Sequence, residues 1–335
     1  MFLFNKDTEK EILVIAEIGV NHMGSLEWIL KILPQVREAG ADAVKFQLFT
    51  PDLYVSRSNP ERHNQVSKLA LSKSDFLQIK KLGDSINLPV FATPVSHDWV
   101  TFIAETCGVI KIASGDFTFT PTVDTALMTS SKIIISSGAT SRDEVKKFVS
   151  RAKKLRPGDK YSESIALLHC ISSYPPPIGE SNLSAIADLK ELTELTIGFS
   201  SHFLLDTPLY TALGMGARIF EIHVTDDRSR NDIRDHALSR TPVELSLIIG
   251  QLCELNSALM SGLKSIQPSE RISLNSMRKG LVYSKNLSAG HKLLVSDLDF
   301  ARPLNTEVHS ADGVIGKILK RNVNAFFTIS LDDFE

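Results

Sequence analysis

The sequence predicts an α/β chain: a (β/α)₈ TIM barrel followed by a small β-rich domain. Three observations carry this. Eight short apolar runs recur along the first 225 residues, helical patterns separate most of them, and each run ends in a residue able to do chemistry. In such barrels the active site gathers at the C-terminal ends of the strands.

The runs are 12–19, 41–49, 89–95, 109–116, 132–139, 165–172, 196–201 and 217–225. They are rich in Val, Ile and Phe, nearly continuous in apolar character and too short for helices, as expected of parallel strands covered on both faces. Helices are expected over 26–39, 73–87, 96–107, 141–155, 181–194 and 242–262. Ser141-Arg-Asp-Glu144 reads as a capping box, and Thr241-Pro242-Val243-Glu244 combines a cap, a proline at N1 and a glutamate at N3. Gly40, Gly108 and Gly216 sit where helices hand over to strands, as C-terminal caps do. Side chains on a strand repeat with period two, so Lys45 and Gln47 share a face, as do Glu221 and His223. A doubly wound open sheet is the alternative with the same alternation.

The length suits one barrel of about 250 residues plus a small second domain. Formal net charge is −2 and pI is near 6.5, with no basic run, so neither nucleic acid nor a membrane surface is an expected partner. The opening MFLFNKDTEKE breaks into charges too early for a signal peptide, and no apolar stretch reaches the roughly 18 residues that span a bilayer. Three widely spaced cysteines, Cys107, Cys170 and Cys253, read as reduced thiols and place the chain in the cytoplasm. The texture changes near residue 262. A barrel over 1–262, a polar linker over 263–276 and a β-rich domain over 277–335 are therefore expected, the last built from GLVYSKNL, SAGHKLLV, DLDFARP and AFFTISL. At about sixty residues it is small for independent stability.

The polar residues at the run ends are Glu17, Lys45, Gln47, Thr93, Lys111, Ser114, Asp116, Ser136, Ser172, His202, Glu221 and His223. Two lysines inside a barrel are either an anion grip or structural ion pairs, with Glu17 or Glu221 as partners. His202 and His223 end the seventh and eighth strands, which adjoin in a barrel. Two neutral imidazoles with open positions suit a borderline divalent ion such as Mn²⁺, Zn²⁺ or Fe²⁺. His22, His97, His169 and His236 are weaker candidates.

The segments IAEIGVNHMG (15–24), AGADAVKFQ (39–47), KIASGD (111–116), ISSGAT (135–140), LLHCISSYPPP (167–177), GFSSH (198–202), FEIHVT (220–225) and DHALS (235–239) resemble successive signatures of the sialic acid (N-acetylneuraminate, nonulosonate) synthase family. RKGLVYSKNLSAGHKLLVSDLDFARP (278–303) resembles that family's C-terminal antifreeze-like (SAF) domain. The resemblance implies a transferase that condenses phosphoenolpyruvate with an N-acetylated hexose to a nine-carbon 3-deoxy-2-keto acid and phosphate, assisted by Mn²⁺ or Mg²⁺, in a domain-swapped homodimer. It implies that Lys45 and Lys111 supply charge to phosphoenolpyruvate, with Gln47, Thr93, Ser114, Ser136 and Ser200 as donors. It also places Asp116, Ser172 and Tyr174 in the substrate site, makes Glu17 the carboxylate that handles a water proton or a cationic centre, and puts Asp235 at the sugar's reacting end. Finally, it has Arg302 reach the partner's sugar site.

Four departures fall mostly on the sugar side. Ile233-Arg234 stands where the family usually has Gly-Pro, Ser201 where it has Asp, Asp116 where many members have Glu, and Ser172 where bacterial members often have Asn. N-acetylmannosamine, its 6-phosphate and 2,4-diacetamido-trideoxyhexoses all stay open as acceptors. Two rivals are a synthase making a Kdo-like octulosonate, which the antifreeze-like tail disfavours, and a non-catalytic sugar-binding relic, which the retained Glu17, Lys45, Lys111, His202 and His223 disfavour.

Overall fold

A computed structural model describes residues 1–259, 262–304, 307–308 and 310–335. The chain divides into two compact units, residues 1–260 and 261–335.

The first unit opens with a small antiparallel hairpin, β1 (Phe2–Leu3) and β2 (Lys6–Asp7). Eight parallel strands follow: β3 (Leu13–Gly19), β4 (Ala43–Leu48), β5 (Val90–Pro94), β6 (Val109–Ile112), β7 (Lys132–Ser136), β8 (Ile165–His169), β9 (Thr196–Ser201) and β10 (Ile219–His223). They pair in chain order, and β10 closes on β3, so the sheet is a closed barrel and the open-sheet alternative fails.

Period-two alternation sorts the strand residues into two sets. One set, including Val14, Val44, Ile110, Ile133, Leu167 and Phe220, faces outward into a core shared with the surrounding helices. The other points into the barrel. Leu13, Ile15, Ala43, Phe91, Val109, Ile134, Ala166, Leu168 and Ile219 form its apolar floor. Leu3 belongs to that floor, and Phe4 packs against it with its ring 5.2 Å from that of Phe91, so the hairpin plugs the N-terminal end. Two residues further along six of the strands the same inward face turns polar. Ile15 gives way to Glu17, Ala43 to Lys45, Phe91 to Thr93, Val109 to Lys111, Ile134 to Ser136 and Ile219 to Glu221.

The expected helices form as Leu26–Glu38, Lys73–Ser85, Val100–Cys107, Arg142–Leu155, Ala185–Thr193 and Pro242–Leu259. Ser141 and Glu144 make the reciprocal capping bonds, and the Thr241 hydroxyl and amide both bond Glu244. Gly40, Gly108 and Gly216 have φ of 94°, 66° and 104°, a region where a side chain would strain the backbone. Helices Thr120–Met128 and Thr207–Gly214 were not anticipated; each has proline in its first turn and lacks a side-chain capping bond.

In the second unit, β11 (Gly280–Tyr283) pairs antiparallel with β12 (Leu298–Ala301) over a core containing Leu281, Leu293, Val314, Leu319 and Phe334. AFFTISL is not a strand. It contributes one bridge, Thr328 to Val282, while Phe326 and Phe327 lie exposed. The stretch 263–276, expected as a featureless linker, holds most of a helix, Pro268–Met277, begun by a capping box between Gln267 and Glu270. That helix buries none of its residues, so it carries no apolar period to betray it.

Candidate active site

The polar level of the barrel opens into a cavity of about 860 Å³ at the C-terminal ends of the strands. Glu17, Lys45, Gln47, Thr93, Lys111, Ser114, Asp116, Ser136, Tyr174, Ser200, His202 and His223 all line it, together with Cys170 and Glu221. The β3–β4 pairing carries a register shift between Glu17 and Gly19, an irregularity of the kind that re-aims side chains beside active sites.

At the cavity's base the charges interlock. Lys45 Nζ lies 3.0 Å from Glu17 Oε2 and 3.5 Å from Glu221 Oε1. Lys111 Nζ lies 3.6 Å from Glu221 Oε2. Both ammoniums keep donors for neutral oxygens: Lys45 bonds the Thr93 hydroxyl at 3.1 Å, and Lys111 bonds Ser136 Oγ at 2.7 Å and the Ile112 carbonyl at 3.2 Å. Gln47 donates to Glu17 at 3.2 Å, and Ser200 donates to Glu221 at 3.0 Å. All four charged groups are buried. Two cations meet two anions, so the cluster is neutral before any substrate enters.

The two lysines differ. Burial pulls the Lys45 pKa down, but Glu17 and Glu221 outweigh it and hold the group above its usual range. For Lys111 burial prevails over Glu221, and the neighbouring Lys45 adds to the loss, so its pKa is lowered. Burial also pushes the Asp116 carboxyl up to about 6, against the pull of Lys111. The ion-pair reading of the lysines is thus correct as geometry. It does not exclude an anion grip, because both ammoniums line the cavity and the base carries a dense set of donors.

Glu221 was expected as a possible ion-pair partner of the lysines, and among the described residues it is the one carboxylate within reach of both. The signal was its position two residues before His223 on the same inward face.

The histidines come together as expected, with ring centroids 5.4 Å apart. His202 Nδ1 lies 2.8 Å from the Ile171 carbonyl. A carbonyl only accepts, so Nδ1 carries the proton and Nε2 keeps its lone pair. Burial, then His223, lowers the His202 pKa to about 4, so the ring is neutral near neutral pH. His223 Nδ1 is buried without a hydrogen bond, and the nearest carboxylate, Asp235, stands 3.9 Å away. Two imidazoles, one oriented by a backbone carbonyl and one with a ring nitrogen left without a hydrogen bond, fit a divalent ion. No cluster of three or more His, Cys, Asp or Glu able to hold a metal occurs among the described residues, so the remaining ligands would be water or substrate oxygens.

Tyr174 stacks on His202, ring to ring at 4.0 Å. Ser114 and Ser172 bond each other at 2.8 Å on one rim. A side chain at Gly138 would come within 2.2 Å of Ser172 Oγ and 2.7 Å of Cys170 Sγ, so only glycine lets these loops approach. Three of the weaker histidine candidates are otherwise engaged: His169 bonds the Ser181 carbonyl, His236 bonds Thr225, and His22 Nδ1 accepts from the Gly24 amide. His97 lines the cavity. Arg302 belongs to the second unit, where its Nε donates to the Met277 carbonyl at 2.6 Å. No described helix is long and apolar enough to cross a membrane.

Comparison with known proteins agrees with this architecture. Residues 278–335 match the SAF domain. The N,N'-diacetyllegionaminic acid synthase of Campylobacter jejuni is 30% identical, over 93% of this chain and 97% of that protein. The N-acetylneuraminate-9-phosphate synthase of Drosophila melanogaster is 28% identical, over 93% of each. The N-acetylneuraminic acid (sialic acid) synthetase of Leptospira borgpetersenii, solved in complex with citrate, superposes with a TM-score of 0.73 and 32% identity, covering 78% of this chain and 90% of that one. With residues 32–264 matching the NeuB family, the chain belongs to that family as an N-acetylneuraminate synthase-like enzyme carrying a C-terminal SAF domain.

Proposed function

We propose that the chain condenses phosphoenolpyruvate with an amino-sugar aldose, giving a nine-carbon 3-deoxy-2-keto acid and free phosphate. The observation that carries this reading is the buried pair Lys45 and Lys111, each with a hydroxyl partner, at the base of a cavity whose wall holds His202 and His223. One end grips a small polyanion and the other faces an electrophile. The relatives' names support a nonulosonate as product.

Phosphoenolpyruvate binds with its phosphate and carboxylate between the two ammoniums, Ser136, Thr93 and Ser114. Each charge-assisted bond contributes roughly 1.5–3 kcal/mol, so several hold a small anion firmly. Gln47 and Ser200 keep Glu17 and Glu221 oriented. The sugar sits against Tyr174 with its aldehyde near the histidines and Asp235. His202 and His223 would hold a divalent ion such as Mn²⁺, which when bound polarises the aldehyde oxygen and orients the sugar. The methylene carbon of phosphoenolpyruvate bonds to the aldehyde carbon with the electron pair of its C=C bond, and the aldehyde's C=O pair moves to its oxygen, an alkoxide that ends with the proton water gives up through Glu17. Water then bonds to the cationic carbon that bears phosphate and yields a proton to Glu17. The carbon–oxygen bond to phosphate breaks last, its electron pair leaving with phosphate while the new hydroxyl gives its proton to the departing phosphate, which leaves the ketone and inorganic phosphate.

Free cysteines throughout and substrates of intermediary metabolism favour a cytoplasmic setting. Homodimerisation with Arg302 acting on the partner's site belongs to the same reading; an arginine's planar fork suits paired bonds to sugar oxygens. The test is phosphate release from phosphoenolpyruvate in the presence of Mn²⁺ and a panel of N-acetylated hexoses and pentose phosphates. Release that depends on an amino sugar supports the reading. Release with pentose phosphates alone supports an octulosonate synthase, and none at all supports a sugar-binding relic.

A further inference from the structure

His202, His223 and Asp235 come from three stretches of chain: just past β9, the end of β10, and the short turn Asp235–Leu238 beyond it. The β9–β10 ladder stops at Ile222 and Ser201, so other bonds must hold these stretches in place. Arg240, only 3% exposed, supplies them. A guanidinium presents five N–H groups in one plane, and here they meet one carboxylate and four backbone carbonyls. Nε donates to Asp206 Oδ1 at 2.7 Å. Nη1 donates to the Leu238 and Ser239 carbonyls at 2.6 and 3.4 Å, and Nη2 to those of Phe203 and Leu204 at 3.2 and 3.0 Å. One side chain thereby joins residues 203–206, which begin beside His202, to residues 238–239, which close the turn opened by Asp235.

The backbone of Arg240 makes the third connection. Its amide donates to the His223 carbonyl at 2.7 Å, and its carbonyl accepts from the Thr225 amide at 3.0 Å. Ser239, next to it, donates from its amide and hydroxyl to the Asp235 carbonyl at 3.0 and 2.6 Å. The Ser239 hydroxyl in turn accepts from Asn21 Nδ2 at 2.9 Å, just past β3. The junction also accounts for an uncapped helix. Asp206 stands at the N-cap of Thr207–Gly214 without a capping bond, its carboxylate being turned to Arg240. A buried guanidinium is costly to desolvate. One satisfied mainly by loop carbonyls fixes loop geometry, which a surface ion pair does not.

We propose that Arg240 is a positioning residue that sets where His202, His223 and Asp235 stand relative to one another. This rests on the condensation reading for what the three residues do, but not for their placement. The phosphoenolpyruvate side stands apart from the junction. Lys45, Lys111 and Ser136 lie on β4, β6 and β7, and none of the groups bonded by the Arg240 side chain belongs to those strands. Loss of the junction therefore falls on the sugar side alone.

The experiment uses two variants of the full-length protein. Arg240→Lys keeps the charge, but an ammonium on a flexible stem cannot span both loops at once. Asp206→Asn keeps the arginine and loosens one arm, which covers the case in which Arg240→Lys fails to fold. Both are compared with wild type by NMR of ¹³C-labelled histidine rings and by kinetics. The His202 and His223 ring signals, assigned with His202→Gln and His223→Gln, should move, while those of His63 and His291 stay. The kcat/KM for the amino sugar should fall at least about tenfold, as expected when reacting groups are misplaced, while KM for phosphoenolpyruvate holds. A merely structural role would lower the melting temperature and weaken both substrates alike. Unmoved His202 and His223 signals in the folded variants overturn the proposal, and so does an equal loss for the two substrates. If no sugar turns over even in the wild type, the condensation reading falls and the ring signals alone decide the positioning.

Discussion

Glu17 and Lys45 stand side by side on neighbouring strands, paired in register across β3 and β4, with their charged atoms 3.0 Å apart and both side chains buried. A pair so placed is costly to desolvate and is weak evidence for stability by itself. Its value lies in position: it holds an ammonium at the base of a cavity, and in the proposed reaction it leaves the carboxylate to take the proton of the attacking water. Removing one partner uncovers the other. Glu17→Ala should destabilise the fold by about 3–5 kcal/mol, whereas Glu17→Gln should fold closer to normally yet lose most turnover. Denaturant unfolding and phosphate release on the same samples check both. A Glu17→Gln protein with full turnover removes Glu17 from the chemistry.

Glu221 holds both lysines, and it makes a prediction about pH. The Lys111 pKa is already lowered by burial, with Glu221 as the main opposing charge. A phosphate-binding ammonium works when protonated and fails as pH rises through its pKa. Glu221→Gln removes the supporting charge, so Lys111 gives up its proton at lower pH, and the alkaline limb of kcat/KM for phosphoenolpyruvate should move downward. Lys111→Met should raise KM for phosphoenolpyruvate roughly 10- to 100-fold. An unmoved alkaline limb in Glu221→Gln contradicts the coupling.

The eight strands and the polar level above them were legible because buried parallel strands leave continuous apolar runs, and period two then fixes which residues share the interior. Lys45 with Gln47 and Glu221 with His223 emerged on common faces for that reason. The runs overshot where the chain curls away: Ser114–Asp116 is a short 3₁₀ turn rather than the end of β6. Glu221 was legible as a partner of one lysine, but its reach to both was not, since it depends on the closed barrel in which Glu221 of β10 faces Lys45 of β4 and Lys111 of β6 across the interior. Pro268–Met277 was missed because a helix with no buried face has no apolar rhythm.

Asp116 gives a stability test. Its folded-state pKa of about 6 lies above the ordinary carboxylate value because the group is partly buried. A carboxyl with a raised folded pKa binds its proton more tightly when folded, so the folded state gains as pH falls from about 6 toward 4 and bears the cost of the charge above 6. Asp116→Asn should therefore melt higher than wild type at pH 7.5, with the advantage shrinking at pH 5. Thermal melts at the two pH values decide it, and an advantage that grows at pH 5 would show the sign to be wrong.

The histidine pair predicts metal dependence. His202→Ala or His223→Ala should retain the melting behaviour of the apoprotein yet lose the stabilisation that added Mn²⁺ confers, and turnover with it. Calorimetric Mn²⁺ titration reads the binding directly. Unchanged Mn²⁺ affinity in both variants would place the ion elsewhere.

For Arg302, subunits bearing Arg302→Ala are mixed with subunits bearing Lys111→Ala. Action across a dimer leaves one site with both residues intact, so activity should reappear in the mixture and be absent from either variant alone. Failure to complement, with dimers confirmed by light scattering, contradicts the exchange.

The most direct test of the central claim is phosphate release from phosphoenolpyruvate by the purified protein with Mn²⁺, with and without N-acetylated amino sugars, those phosphorylated at the terminal hydroxyl included. The account predicts release that requires the sugar and matches it mole for mole in a new 2-keto acid. Release that proceeds equally without sugar, or no release with any sugar, would contradict it.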